Sequence, residues 1–222
     1  IQFGLLEGGK LLGTLRQSSD PTRTAEDLEA AIRRDLEALG VQPDRIEAAI
    51  IDSVVPPVME ALTAAVEKVA GVQSLVVEAD IKTGIGYPVG SSKLGPDRAV
   101  CCVAAIEKYG KPVIVLDFGT ANTVDAVGAD GSYLGGCLLA GVMTSANALF
   151  TNTAMLPKID LVLPPTVLGG STVAQLQVGA VMGAIGSTEY LVRRTRKEMG
   201  CGEDVTVVAN GGLGRLVAEG PD

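Results

Sequence analysis

The residues best equipped for chemistry are Asp117-Phe118-Gly119-Thr120, which close the apolar run Pro112-Val113-Ile114-Val115-Leu116. Such a run, bounded by a turn, reads as a buried strand. At its end stand a carboxylate, a residue without Cβ whose amide is expected to be exposed, and a hydroxyl. Together they suit phosphate and its metal ion: glycine permits close backbone approach, while Thr and Asp supply a hydroxyl and charge. A second candidate is Gly95-Pro96-Asp97-Arg98, where a carboxylate projects from a turn at a helix start, beside a guanidinium. Arg98 could pair with an anionic group. Asp97 could accept a hydroxyl proton, or serve only as an acid favoured by the helix dipole. The sequence holds no His, so any proton acceptor is Asp, Glu, Lys, Tyr or Cys. Phosphoryl transfer tolerates that lack, because it needs alignment and charge neutralisation more than covalent chemistry.

The elements that must position these groups follow from pattern. After Thr120 come the alternating Asn122–Val127, the turn signal Asp130-Gly131 and the return run Tyr133–Leu138, a strand, hairpin turn and strand. A phosphate turn carried on a β-hairpin differs from the Gly-rich loop that opens a helix in P-loop or dinucleotide folds. It suggests an actin-like nucleotide-binding domain. Asp125 lies within the apolar strand, which predicts burial with a hydrogen-bonded partner and a supporting role. Residues 171–199 predict a long helix, with Thr172 available as its N-cap. Gly179, Gly183 and Gly186 on it point to close helix packing, and Arg193–Lys197 to a solvated helix end. Val205–Ala209 reads as a strand and Asn210-Gly211-Gly212 as a tight turn.

The first half shows a related order. A hairpin through Glu7-Gly8-Gly9-Lys10 precedes a helix opened by Thr24 with Asp27 three residues on. That helix carries Leu28, Ile32, Leu36 and Leu39 and stops at Gly40. A strand from Ile46 to Val54, a helix from Pro56-Pro57, a strand over Ser74–Glu78, a Gly-rich loop over 80–94 and a helix over 96–109 complete it. Within the loop, Tyr87 would either anchor the chain by its ring or face a ligand. The order then restarts at Lys111, which predicts two copies of one unit with a seam near 109–111. The second copy begins with a full strand and phosphate turn, whereas the first begins inside its hairpin. A strand with its own phosphate turn is therefore expected ahead of Ile1.

Composition narrows the class. At 222 residues, with 47% hydrophobic and 20% charged residues, the chain supports an ordered core. Aromatics are only 3%, so packing rests on Val, Leu, Ile and Ala. A net charge of −8 argues against nucleic acid or an anionic membrane as main partner. No apolar run approaches the roughly 18–20 residues needed to span a bilayer. Cys101, Cys102, Cys137 and Cys201 include no CxxC pair, so a zinc site is not expected and reduced thiols in a cytoplasmic protein are.

Taken together, the chain resembles the type III pantothenate kinases of bacteria. The carriers are Asp52-Ser53-Val54-Val55-Pro56-Pro57, Tyr87-Pro88, Gly95-Pro96-Asp97-Arg98, Asp117-Phe118-Gly119-Thr120, Asp125, Gly135-Gly136, Leu156-Pro157, Ser171-Thr172 and Asn210-Gly211-Gly212-Leu213. The resemblance implies a duplicated actin-like, ribonuclease-H-like α/β fold: two βββαβα-type halves, residues 1–109 and 110–222, around a nucleotide cleft. It implies ATP-dependent phosphorylation of pantothenate, the first step of coenzyme A synthesis, with Mg²⁺, a monovalent cation (K⁺ or NH₄⁺) and a homodimer. By position, Asp97 becomes the general base. Tyr87, Gly95, Pro96, Asp97 and Arg98 would line the pantothenate pocket, and Thr172 would meet substrate at the dimer interface. Asp117 would hold the monovalent cation, Gly119 and Thr120 the ATP phosphates, and Gly211 and Gly212 would face the nucleotide. Pro96 stands where the family has a small residue, and Ala140-Gly141 where it has Pro-Gly. Those departures keep open an alternative, a non-catalytic relative that binds nucleotide or pantothenate without turnover.

Overall fold

A computed structural model describes residues 1–18, 20–53, 55–78, 81–88 and 93–218. Val54, and positions 80 and 89–92 of the Gly-rich loop, lie outside the described residues. The α/β chain divides into two compact units, one of Ile1–Ile81 with Leu94–Asp97, the other of Lys82–Lys93 with Arg98–Asp222. The chain passes between the two units at 81–82, 93–94 and 97–98.

In the first unit, β1 (Gln2–Glu7) and β2 (Lys10–Arg16) form the expected hairpin. Gly8 and Gly9 both take positive φ, as a tight two-residue hairpin turn requires. Helix α1 (Ala25–Ala38) starts with the expected capping box: Thr24 accepts from the Asp27 amide and the Asp27 side chain accepts from the Thr24 amide. It ends where Gly40 adopts φ 70° and the Val41 amide returns to the Leu36 carbonyl. Strand β3 (Ala49–Ile51) is shorter than the 46–54 expected, and a 3₁₀ segment, Pro43–Arg45, precedes it. Helix α2 (Pro56–Ala70) opens on two prolines, where a missing amide costs nothing. Strand β4 (Ser74–Val76) pairs parallel with β3. Leu28, Ile32 and Leu36 of α1 pack with Val58, Leu62 and Val69 of α2 and with Ile51. The hairpin and the parallel pair remain separate two-stranded sheets. A trough of about 880 Å³ is lined by residues of both, including Phe3, Leu5 and Ile51.

The second unit is built on a four-stranded sheet in the order β7-β6-β5-β8. Its strands are β5 (Val113–Phe118), β6 (Ala121–Val127), β7 (Tyr133–Ala140) and β8 (Thr206–Asn210). An antiparallel meander extended by one parallel strand is the order of a ribonuclease-H-like half. Strand β5 is buried from Val113 to Leu116 and again at Phe118, as its unbroken apolar run predicts. Helix α3 (Pro96–Tyr109) precedes the sheet, and α4 (Val142–Asn152) follows β7. The predicted helix over 171–199 is α5 (Thr172–Gln177) and α6 (Gly183–Met199), joined by a π-helical segment Val178–Met182. Its N-cap is Ser171, whose hydroxyl accepts from the Ala174 amide, and not Thr172. A Cβ at Gly179, Gly183 or Gly186 would meet nothing within 4 Å among the described residues of this chain, so packing there within one chain does not require glycine. The basic end of α6 is solvated, with Arg194 and Arg196 paired to Glu198 and Glu203. Helix α7 (Gly214–Ala218) follows β8.

Candidate active site

The first group of expected site residues meets at the carboxyl ends of two adjacent parallel strands. Asp117 of β5 lies in register with Asn210 of β8. The turns that follow them, Gly119-Thr120 and Gly211-Gly212, are exposed, while Asp117 is half-buried. Gly211 sits at φ 90°, and a Cβ there would come within 2.5 Å of the Phe118 carbonyl oxygen and 2.7 Å of Asp117 Oδ1. Only glycine lets the second turn lie against the first. From the other side, the Thr120 carbonyl accepts from the Gly141 amide at 3.0 Å and from Thr144 Oγ1 at 2.7 Å. A Cβ at Gly141 would strike the carbonyls of Gly119 and Thr120. Thus Asp117, Gly119, Thr120 and Gly211 are held together by close backbone contact. The amide of Gly119 is not exposed for a ligand, because it closes the turn by donating to the Ala121 carbonyl at 3.1 Å. What the turn can offer a polyphosphate is the Thr120 hydroxyl, the Asp117 carboxylate for a cation, and backbone at the Gly211-Gly212 turn.

The second group lies around the start of α3. Pro96 occupies the first helical turn, where its fixed φ suits the helix. Asp97 is exposed in the same turn, and a Cβ on Gly95 would lie 2.9 Å from Asp97 Oδ1. Glycine therefore leaves room for a carboxylate that turns back over the helix start. Asp52, in the same unit, is raised above the ordinary carboxylate range, first by burial and then by the negative charge of Asp97. Its Oδ1 is buried with no hydrogen-bond partner among the described residues.

That shift has a sign. A carboxylate raised on folding favours the folded state below its unfolded value, about 3.9, and loses that contribution as pH rises through the raised value. Asp52→Asn should therefore melt above the wild type near about pH 8, with the difference shrinking near about pH 4. A difference in Tm that is the same at both values would count against the assignment.

Arg98 follows Asp97 and is engaged with the sheet of the second unit. Its Nε donates to Asp125 Oδ2 at 3.1 Å and its Nη2 to Asp125 Oδ1 at 2.5 Å. Thr123 Oγ1 donates to the same carboxylate at 3.2 Å and the Tyr133 hydroxyl at 3.0 Å. Asp125 is only 1% exposed, which fits the expected burial of an acid with hydrogen-bonded partners. Burial and then the Asp125 charge push up the phenol of Tyr133 and the thiol of Cys102, the latter to about 12. Gly136 faces Asp125 across the β6–β7 ladder. A Cβ there would sit 2.9 Å from both Asp125 Oδ1 and the Tyr133 hydroxyl.

Tyr87 is half-buried, its ring centroid 6.2 Å from that of Tyr133. Thr172 is exposed on the first turn of α5. Reading from residue types singled out neither Tyr133 nor Asp52 as a site residue. The available signal for Tyr133 was Gly135-Gly136 inside a strand opposite a buried acid, since strand glycines mark close approach.

The family described as type III pantothenate kinase matches residues 1–194 of this chain. A type III pantothenate kinase of Agathobacter rectalis is 39% identical over 219 residues, covering 98% of this chain and 84% of that protein. One from Finegoldia magna is 38% identical over 221 residues, covering 99% and 84% respectively. Among solved structures, a conserved putative Baf family transcriptional activator from Campylobacter jejuni aligns with 84% of this chain and 76% of that one, at 19% identity and a TM-score of 0.48.

Proposed function

This chain belongs to the type III pantothenate kinase family, and we propose that it phosphorylates pantothenate with ATP, using Asp97 as general base. The observation that carries the reading is the pair of turns in which Asp117, Thr120 and Gly211 are locked together by contacts that glycine alone permits. In this reading the Asp97 carboxylate takes the proton of the pantothenate hydroxyl as its oxygen bonds to the γ-phosphorus. The bond from that phosphorus to the β,γ-bridging oxygen breaks, and ADP leaves. Thr120, Gly211 and Gly212 would hold the phosphates, Gly119 would leave them room to approach without donating its amide, and Asp117 would hold a monovalent cation, K⁺ or NH₄⁺. Bound Mg²⁺ supplies charge neutralisation on the phosphates. Tyr87, Gly95, Pro96 and Arg98 line the pantothenate site, and Thr172 contributes to it in a homodimer working in the cytoplasm. Placing Pro96 in a helix first turn supports this reading, because that position accepts proline without distortion.

The test is ADP release by the full-length protein with ATP, Mg²⁺ and pantothenate, with and without K⁺. Turnover should require pantothenate, yield 4'-phosphopantothenate and rise with K⁺. ADP release that ignores pantothenate, or none under any condition, would overturn the reading.

A further inference from the structure

The polar contacts around β7 converge on one side chain without an assigned role. Tyr133 is 9% exposed at the start of that strand. Its hydroxyl donates to Asp125 Oδ1 at 3.0 Å and accepts from Arg98 Nη2 at 3.2 Å. Its ring lies against Tyr87, with planes tilted by 56°. Its backbone amide donates to the Gly86 carbonyl at 2.8 Å, and the Gly86 amide returns to the Gly131 carbonyl at 3.0 Å. One residue thus touches both elements that the proposed pantothenate site draws on, the Tyr87 segment by ring and backbone, and Arg98 by its hydroxyl.

We infer that Tyr133 is a positioning residue for pantothenate, setting Tyr87 and Arg98 relative to each other through two separable contacts. The inference rests on the pantothenate reading above. A hydroxyl placed between a carboxylate and a guanidinium fixes the rotation of both, since each gains a directed bond in a dry setting. Both contacts of Tyr133 lead to residues of the proposed pantothenate site, so the effect should fall on that substrate.

Two variants separate the contacts. Tyr133→Phe keeps the ring against Tyr87 and removes the hydroxyl. Tyr133→Leu removes both. In the full-length enzyme, Tyr133→Phe should raise the pantothenate KM about tenfold, with the ATP KM changed by less than about twofold. Calorimetric titration of pantothenate without ATP should weaken in parallel, and Tyr133→Leu should weaken it further. A pantothenate KM unchanged in Tyr133→Phe, or both KM values moving together in step with a fall in Tm, would overturn the inference. Should Tyr133→Leu fail to fold, the Phe variant decides alone. Wild-type protein that turns over no pantothenate would overturn the reading underneath and this inference with it.

Discussion

Replacing Asp97 with Asn is expected to lower kcat about a thousandfold while leaving the fold and ATP binding intact. The magnitude separates two roles that position alone leaves open. As a helix N-terminal acid, Asp97 would contribute about 0.3–1 kcal/mol to stability, and its loss would scarcely move Tm. As the base that accepts the pantothenate proton, its loss removes a term worth about 10²–10⁴ in rate. Its exposure makes the variant a clean one, since Asn fills the same space without burying an unpaired group. Single-turnover phosphorylation of pantothenate, with nucleotide binding followed separately, is the measurement. A variant that turns over within a few-fold of wild type would remove Asp97 from the mechanism.

Asp125→Asn should strongly destabilise the second unit. It removes the charge of the carboxylate that Arg98 pairs with, where the Arg98 side chain is only 18% exposed and that of Asp125 only 2%. Breaking such a pair by removing one partner costs about 3–5 kcal/mol, because the remaining charge stays in a poorly solvated place. At the lower figure, about 3 kcal/mol, Tm falls by about 6–12 °C for a chain of this size. Thermal unfolding of wild type, Asp125→Asn and the double variant with Arg98→Met provides the check. The double variant should recover part of the loss, because neither charge is then stranded. A single variant that melts with the wild type would show that the pair carries no structural weight.

Both expectations depend on features unequally visible in the chain. The capping box at Thr24 and Asp27, the Gly8-Gly9 hairpin turn and the buried strand at Val113–Leu116 were legible because each follows from residues within a few positions. The turn at Asp117–Thr120 was legible for the same reason, since Asp, Gly and Thr stand together at a strand end. The engaged amide of Gly119 was not, because its acceptor depends on how tightly the turn closes. Nor was Ser171 distinguishable from Thr172 as N-cap, two hydroxyl residues side by side. Gly179, Gly183 and Gly186 signal a close neighbour by type alone, and among the described residues of one chain the space beside them is open, so which neighbour they would serve is a tertiary or quaternary matter.

Residue order alone therefore settled the α/β character, the strand that carries Asp117 near its end, the helix that begins near Asp97, and the family to which these motifs belong. Those are local facts, written in periodicity and in turn residues. Tertiary structure decided which acid meets which cation. Arg98 and Asp125 stand 27 residues apart, and their meeting depends on the register that puts Gly136 opposite Asp125 and leaves room for the Tyr133 hydroxyl. A one-residue slip in that ladder would turn every side chain to the other face. Charge pairing across a sheet is thus a property of register and packing, which no short window of sequence encodes.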